Sequence, residues 1–299
     1  MGHRDGSGPG STVGDVGTAG AEGLGTTGRG RAWVGVSGWS YRSWRGDFYP
    51  AGLRQADELA YAAERMTSVE LNGSFYSLQR PSSYRTWRDA TPARFPLAVK
   101  GGRYITHMLR LRDPGTALAN FFASGVLALG DRLGPILWQL PETLPFDPDL
   151  VGAFTALLPR TTAAAAESAS GHSDRLPAER ALTTAELDVP VLHALEPRHA
   201  SFDSEEARSF LAERGLCTVV ADSAGRWPTM RDETGPFRYV RLHGERELYR
   251  GGYSPQALEA WAGRIREWTA EGLDVYVYFD NDADGRAPYD AMALIGLLA

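Results

Sequence analysis

Six charged side chains stand at or near the ends of short apolar runs: Glu70 in SVELN, Lys100 in PLAVK, Glu196 in VLHALE, Asp222 in TVVAD, His243 in YVRLH and Asp282 in VYVYFDND. Carboxylates and imidazole are common carriers of general acid and base catalysis, and a cationic amine near arginine holds anions. Arg198 and His199 follow closely on Glu196, and Arg241 stands two residues before His243. Runs of this kind read as strands, whose successive side chains point to opposite faces. In YVRLH, Val240 and Leu242 share one face and Arg241 and His243 the other. The same rule sets Glu70 and Asn72 opposite Val69 and Leu71, and Tyr276, Tyr278, Asp280 and Asp282 opposite Val275, Val277 and Phe279. Ala98 shares a face with Lys100, Ala194 with Glu196, and Val220 with Asp222.

A charge without a partner on an enclosed face costs several kcal/mol. Two arrangements meet that constraint: the charges pair with one another inside the fold, or they serve a ligand. Clustering of the whole set at one end of the strands favours the ligand. Glu196 and Arg198 pose the choice most sharply, because both fall on the interior side at the end of one strand. The loops that follow the strands carry Trp39, Tyr41, Trp44, Phe75, Tyr76, Arg103, Tyr104, His107 and Trp227. Aromatics among cationic side chains suit stacking on a base or sugar with an anion held nearby, and they equally suit packing of loops onto a rim.

The elements that position these residues number eight, counting WVGVSG (Trp33 to Gly38) and ILWQL (Ile136 to Leu140), and most are separated by room for a helix. Eight strand–helix units close into a (β/α)8 barrel, with chemistry at the C-terminal ends of the strands. The expected fold class is therefore α/β, a single TIM-type barrel. Helical spacing runs over Ala56 to Met66 and Ser83 to Asp89, and a helix from Asp203 as N-cap to Gly215 as C-cap is expected. Ser254-Pro255 opens another that runs to about Gly272. Between Asp222 and Arg238, Pro228, Gly235 and Pro236 interrupt any helical period, so unit six is expected to lack a regular helix. Residues 1–30, rich in Gly, Ser and Thr, read as a disordered tail before one domain over 31–299. A flexible insertion is expected at about 160–187.

Hydrophobic content of 43% and charged content of 23% are those of a soluble globular chain. No apolar run approaches membrane-spanning length and no secretory leader is evident, and the one cysteine, Cys217, fits a buried thiol in a reducing cytoplasm. A net charge of −6 disfavours extended nucleic-acid binding.

Seven ordered blocks carry a family resemblance. GWSYRSWRGDFYP (Gly38 to Pro50), VELNGSFY (Val69 to Tyr76), KGGRYITH (Lys100 to His107), LGPILWQLP (Leu133 to Pro141), EPRHASF (Glu196 to Phe202), YVRLHG (Tyr239 to Gly244) and VYVYFDND (Val275 to Asp282) resemble the DUF72, or YecE-like, family. Gly73 stands where the family more usually has Ser or Thr, and Pro197 where it has a bulkier residue. The resemblance implies a TIM barrel and no established reaction; a suggested kinship with endonuclease IV and xylose isomerase barrels points to phosphodiester or sugar chemistry by fold analogy alone.

The expected function is binding or hydrolysis of a small phosphorylated or nucleotide-like ligand at the barrel mouth. Glu196, Glu70 and His243 are the candidate catalytic groups. Trp39, Tyr41, Asn72, Tyr76, Lys100, Arg103, Tyr104, His107, Arg198, His199, Asp222, Arg241 and Asp282 are the candidate binding residues. Alternatives are a non-catalytic nucleotide or short nucleic-acid binding module, and a carbohydrate hydrolase using Glu70 and Glu196 as paired carboxylates. No cofactor is expected. Mg, Mn or Zn on Glu196, Asp222, His243 and Asp282 is the metal-dependent version, which nearby Arg198 and Arg241 oppose. No membrane association is expected, and no protein partner can be inferred.

Overall fold

The computed structural model describes residues 29–230 and 234–299. The tail expected over 1–30 lies outside the described residues except for its last two. Among the described residues nine strands, all parallel, form one sheet: β1 Ala32–Ser37, β2 Ser68–Leu71, β3 Leu97–Lys100, β4 Leu133–Gln139, β5 His193–Glu196, β6 Cys217–Thr218, β7 Val220–Ser223, β8 Phe237–Gly244 and β9 Asp274–Phe279. Their order is β6-β5-β4-β3-β2-β1-β9-β8-β7. Strands β6 and β7 are two halves of a sixth barrel position, divided at Val219, whose N–H donates to the Leu195 carbonyl at 2.9 Å. The first half pairs with β5 and the second with β8, which brings the sheet round into the expected TIM-like barrel.

Strand alternation builds two cores. Val34, Val36, Val69, Leu71, Val99, Ile136, Trp138, Val240, Leu242, Val275, Val277 and Phe279 point outward against the helices. Ala98, Leu137, Ala194, Cys217, Val219, Ala221, Phe237, Tyr239, Tyr276 and Tyr278 fill the barrel. Small Ala98 on β3 and Ala194 on β5 share this interior cluster with the large aromatics of β8 and β9.

The helices are α1 Glu58–Ala63, α2 Gly73–Tyr76, α3 Pro81–Asp89, α4 Gly115–Ala123, α5 Pro148–Ala156, α6 Thr162–Ser170, α7 Glu205–Glu213, α8 Pro255–Ala270 and α9 Ala287–Leu298. Helix α8 begins as expected, with Ser254 accepting from the Ala257 N–H and proline in the first turn. Helix α7 differs by one residue at its start: Ser204, not Asp203, is the N-cap and accepts from the Ala207 N–H. Among the described residues between β7 and β8 there is no helix, as the prolines and glycine there predict. Within the 160–187 segment the Ala run lies in α6, whose Ala165 and Ala169 are buried, and Leu176 beyond it is buried as well. No helix among the described residues is long and apolar enough to cross a membrane.

Candidate functional site at the barrel mouth

Register brings the charged residues together. Ser37 lies beside Glu70 in the β1–β2 ladder, Gln139 beside Glu196 in β4–β5, and Arg241 beside Tyr278 in β8–β9. Arg241, wholly buried, occupies the barrel axis. Its Nε and Nη2 donate to Glu70 at 3.1 and 2.9 Å, its Nη1 to Glu196 at 3.0 Å, and Nη2 also reaches Ser37 Oγ at 2.8 Å and Asp280 at 3.0 Å. Glu70 further accepts from Ser37 Oγ and Tyr239 OH, both at 2.6 Å. Glu196 accepts from Gln139 Nε2 at 2.8 Å and Arg198 Nη2 at 3.1 Å, and faces His243 Nε2 at 3.2 Å. The other ring nitrogen of His243 stands 2.9 Å from Asp280 Oδ2, out of line for a hydrogen bond.

A carboxylate offers about four acceptor positions. Glu70 has four such contacts and Glu196 five, so the acceptor positions of both carboxylates are engaged by protein groups in this geometry. Burial pushes the Glu196 carboxyl up, but Arg241, Arg198 and His243 together outweigh it and hold it well below the usual carboxylate range. Asp280 is lowered in the same way, with Arg241 and His243 prevailing over burial. The ion-network arrangement is thus realised for Glu70, Glu196 and Arg241.

Groups with free capacity lie one layer higher. Arg198 stacks over Trp227 at 3.6 Å and uses Nε and Nη2 on Glu196, leaving Nη1 without an acceptor among the described residues. Lys100 ends β3 with its Nζ 4.5 Å from the Phe75 ring centre and no ion pair or hydrogen bond among the described residues. Gly101 must follow it as glycine, since a Cβ there would sit 2.3 Å from the Trp138 ring. Next comes a single π-helical turn, Tyr104–Met108, then Arg110, Leu111 and Asp113 with positive φ. Backbone of this kind gathers at functional sites. It carries Arg103, Tyr104 and His107 to the rim. Burial first, then Arg198, Lys100 and Arg103, lower His107 to about 4.

Asn72 donates to Ser37 Oγ at 2.8 Å while its own carbonyl oxygen is buried without a partner. It lines a cleft of about 310 Å³ with Trp39, Tyr41 and Trp87. Asp282 lies half-buried near Tyr41, raised to about 6 by burial and by Asp280. Tyr76 and Tyr104 are 78% and 48% exposed, projecting beyond the mouth.

One expected binding residue, Asp222, stands elsewhere. Val219 and Ala221 face the barrel interior, so Asp222 faces out and reaches Tyr253 and Trp261 of the helical layer. Period two gives no phase there, because Val219, Val220 and Ala221 are all apolar. His199 caps a short 3-10 turn, its Nδ1 accepting from the Ser201 N–H at 3.2 Å. Sequence reasoning passed over Ser37, Gln139, Tyr239 and Asp280 as site residues. Each falls on the interior phase of its strand, and that alternation is the signal that finds them.

Comparison with known proteins agrees with this architecture. The family model described as protein of unknown function DUF72 matches residues 33–299. The UPF0759 protein YunF of Bacillus subtilis (strain 168) is 24% identical over 297 residues, covering 89% of this chain and 94% of the relative. The crystal structure of a DUF72 family protein from Thermotoga maritima MSB8 superposes with a TM-score of 0.69 at 25% identity, covering 89% of this chain and 98% of that one. One from Enterococcus faecalis V583 gives 0.68 at 16% identity, covering 89% and 95%. With a family match over nearly all of the described barrel, this chain belongs to the DUF72 family.

Proposed function

We propose that the barrel mouth binds a small phosphorylated or nucleotide-like ligand. The observation that carries this reading is the division of charge: the carboxylates on the axis are saturated by Arg241 and its neighbours, while Lys100 and Arg198 Nη1 are left without acceptors among the described residues. Arg103, free of ion pairs among the described residues, adds a third cation on the same rim. A phosphate or carboxylate group meets several donors there, and Arg198 is already held in place by Trp227 and Glu196, which lowers the entropy lost on binding. Trp39, Tyr76 and Tyr104 offer faces for a base or sugar.

The paired-carboxylate hydrolase is disfavoured, because Arg241 donates to both Glu70 and Glu196 and leaves neither for attack or protonation. Hydrolysis of a phosphoester would draw its proton acceptor from Asp282 or His107. The same saturation speaks against a resident Mg, Mn or Zn, and among the described residues no group of three His, Cys, Asp or Glu side chains is arranged to hold one.

Inorganic phosphate tests the reading by thermal unfolding. At ten times Kd the gain is about 1.4 kcal/mol, or roughly 3 °C for a domain of this size. Arg198→Ala should remove most of that gain. An unchanged Tm in millimolar phosphate refutes the anion site.

A further inference from the structure

We propose that Lys100 is an amine nucleophile that forms an imine with the carbonyl group of a small anionic aldehyde or ketone. The anionic character of this substrate rests on the binding reading above; the nucleophile rests on Lys100 itself.

Lys100 is the only lysine in the 299 residues, and every other member of the 31 Lys and Arg residues is arginine. Arginine grips phosphate and carboxylate bidentately and keeps its charge, so a position needing only a cation is served by the residue this chain uses everywhere else. A primary amine that can lose its proton and attack carbon is what arginine cannot supply.

Its placement suits that chemistry. Lys100 is the last residue of β3, at the end of the barrel where the rim loops converge, and is only 8% exposed. No carboxylate lies within 4 Å of its Nζ among the described residues, although Glu70 of β2, Glu196 of β5 and Asp280 after β9 all face the same space. Each of those is engaged by Arg241. Arg241 itself, with Arg103, His107 and Arg198 on the neighbouring loops, makes up the cationic and imidazole surroundings. Burial and then Arg241 outweigh the three carboxylates and bring the amine down to about 8. Near neutral pH that raises the free-amine fraction on the order of a hundred-fold over an ordinary lysine. Desolvation together with a neighbouring cation is a known way to activate a lysine.

The step balances without a further reactant. The Nζ lone pair bonds to the carbonyl carbon and the C=O π pair moves to oxygen, which takes a proton from the nitrogen. The carbinolamine then loses its hydroxyl as water, taking one proton from solvent, as the nitrogen lone pair closes the C=N bond; the resulting protonated imine returns that proton to solvent when it becomes neutral. Arg198 and Arg103 hold the anionic group of the same molecule.

The full chain is incubated with cyanoborohydride and, separately, dihydroxyacetone phosphate, pyruvate or acetone, then digested with trypsin. An alkylated Lys100 resists cleavage, so the label is read on the peptide Phe95–Arg103 by mass spectrometry. We expect the two anionic carbonyls to label Lys100 on the order of ten-fold or more faster than they label Nα-acetyl-lysine. Lys100→Arg should lose this label. Label confined to the N-terminal amine, or a Lys100 rate equal to that of Nα-acetyl-lysine, overturns the proposal. Acetone reacting as fast as the anions would uphold the nucleophile and sink the anion site; phosphate stabilisation without any label would do the reverse.

Discussion

Replacing Glu196 by glutamine tests whether the buried network holds the barrel together. The carboxylate is wholly buried, with Gln139 Nε2 and Arg241 Nη1 on one oxygen and Arg198 Nη2 and His243 Nε2 on the other. Glutamine keeps the shape but turns one oxygen into an NH2 group. Whichever way the amide is placed, that NH2 faces two groups that were bonded to a carboxylate oxygen, and Arg241 loses one of its three anions. Breaking a buried pair on one side costs about 3–5 kcal/mol, against a domain's total of about 5–15 kcal/mol. Roughly 6–10 °C in Tm follows for a chain of this size. Arg198→Ala should cost less, because its side chain is 11% exposed and water reaches part of the guanidinium.

The pH dependence has a definite sign. Because the folded-state pKa of Glu196 is depressed, its contribution is present above the ordinary carboxylate range and is lost as pH falls through the folded value. The gap between wild type and Glu196→Gln should therefore be flat from about pH 8 to about pH 5 and narrow only in stronger acid. Urea unfolding followed by tryptophan fluorescence measures it. A gap under about 1 kcal/mol at neutral pH, the size of an exposed pair, would refute the structural reading of Glu196.

Asp282 has the opposite sign: burial and Asp280 raise it to about 6, so its ionisation penalises the fold above that pH and the penalty fades as pH falls towards the ordinary carboxyl value. Asp282→Asn should stabilise the protein by about 1 kcal/mol near pH 8, after allowance for partial exposure, and leave it unchanged near pH 4; equal melting temperatures near pH 8 would count against this placement. Phosphate bound between Arg198 and Arg103 should raise the pKa of Lys100, so binding near pH 8 should take up protons. Titration calorimetry in two buffers of different ionisation enthalpy reads this directly, and identical heats would show that the anion does not sit near Lys100.

How much of this was legible in the sequence follows from phase. Where strands alternate cleanly, as in YVRLH, VELN and VYVYFD, the interior residues Arg241, His243, Glu70 and Asp280 could be placed from period alone, because one face is apolar and fixes the other. Where the apolar run is unbroken, as in TVVAD, no face is marked, and Asp222 was placed inward although Ala221 holds that position. The division at Val219 has no marker in the residues either, because both halves of that run carry strand-forming side chains. What alternation cannot show is which carboxylate meets which cation. That depends on stagger between strands: Ser37 lies level with Glu70 and Gln139 with Glu196, a register set by packing around the whole barrel.

This stagger also explains how residue types that suggest acid–base chemistry can serve another purpose. Arg241 enters from β8 and reaches β2, β5 and the end of its neighbour β9, so one guanidinium ties two distant strands together across the barrel axis. Parallel strands have no hydrogen bonds across the axis, only around the circumference, so a cross-axis tie is the polar counterpart of the packed Tyr239–Tyr278 layer beneath it. The network consumes the carboxylates and one face of Arg198, and it forms a rigid polar floor under the mouth. Rigid support is what a reactive group needs if it is to be held within a fraction of an ångström of its target. On the reading proposed above, chemistry falls to the residues that the floor positions but does not neutralise, and Lys100, whose amine has no acceptor among the described residues, is the one whose chemical type no arginine could replace.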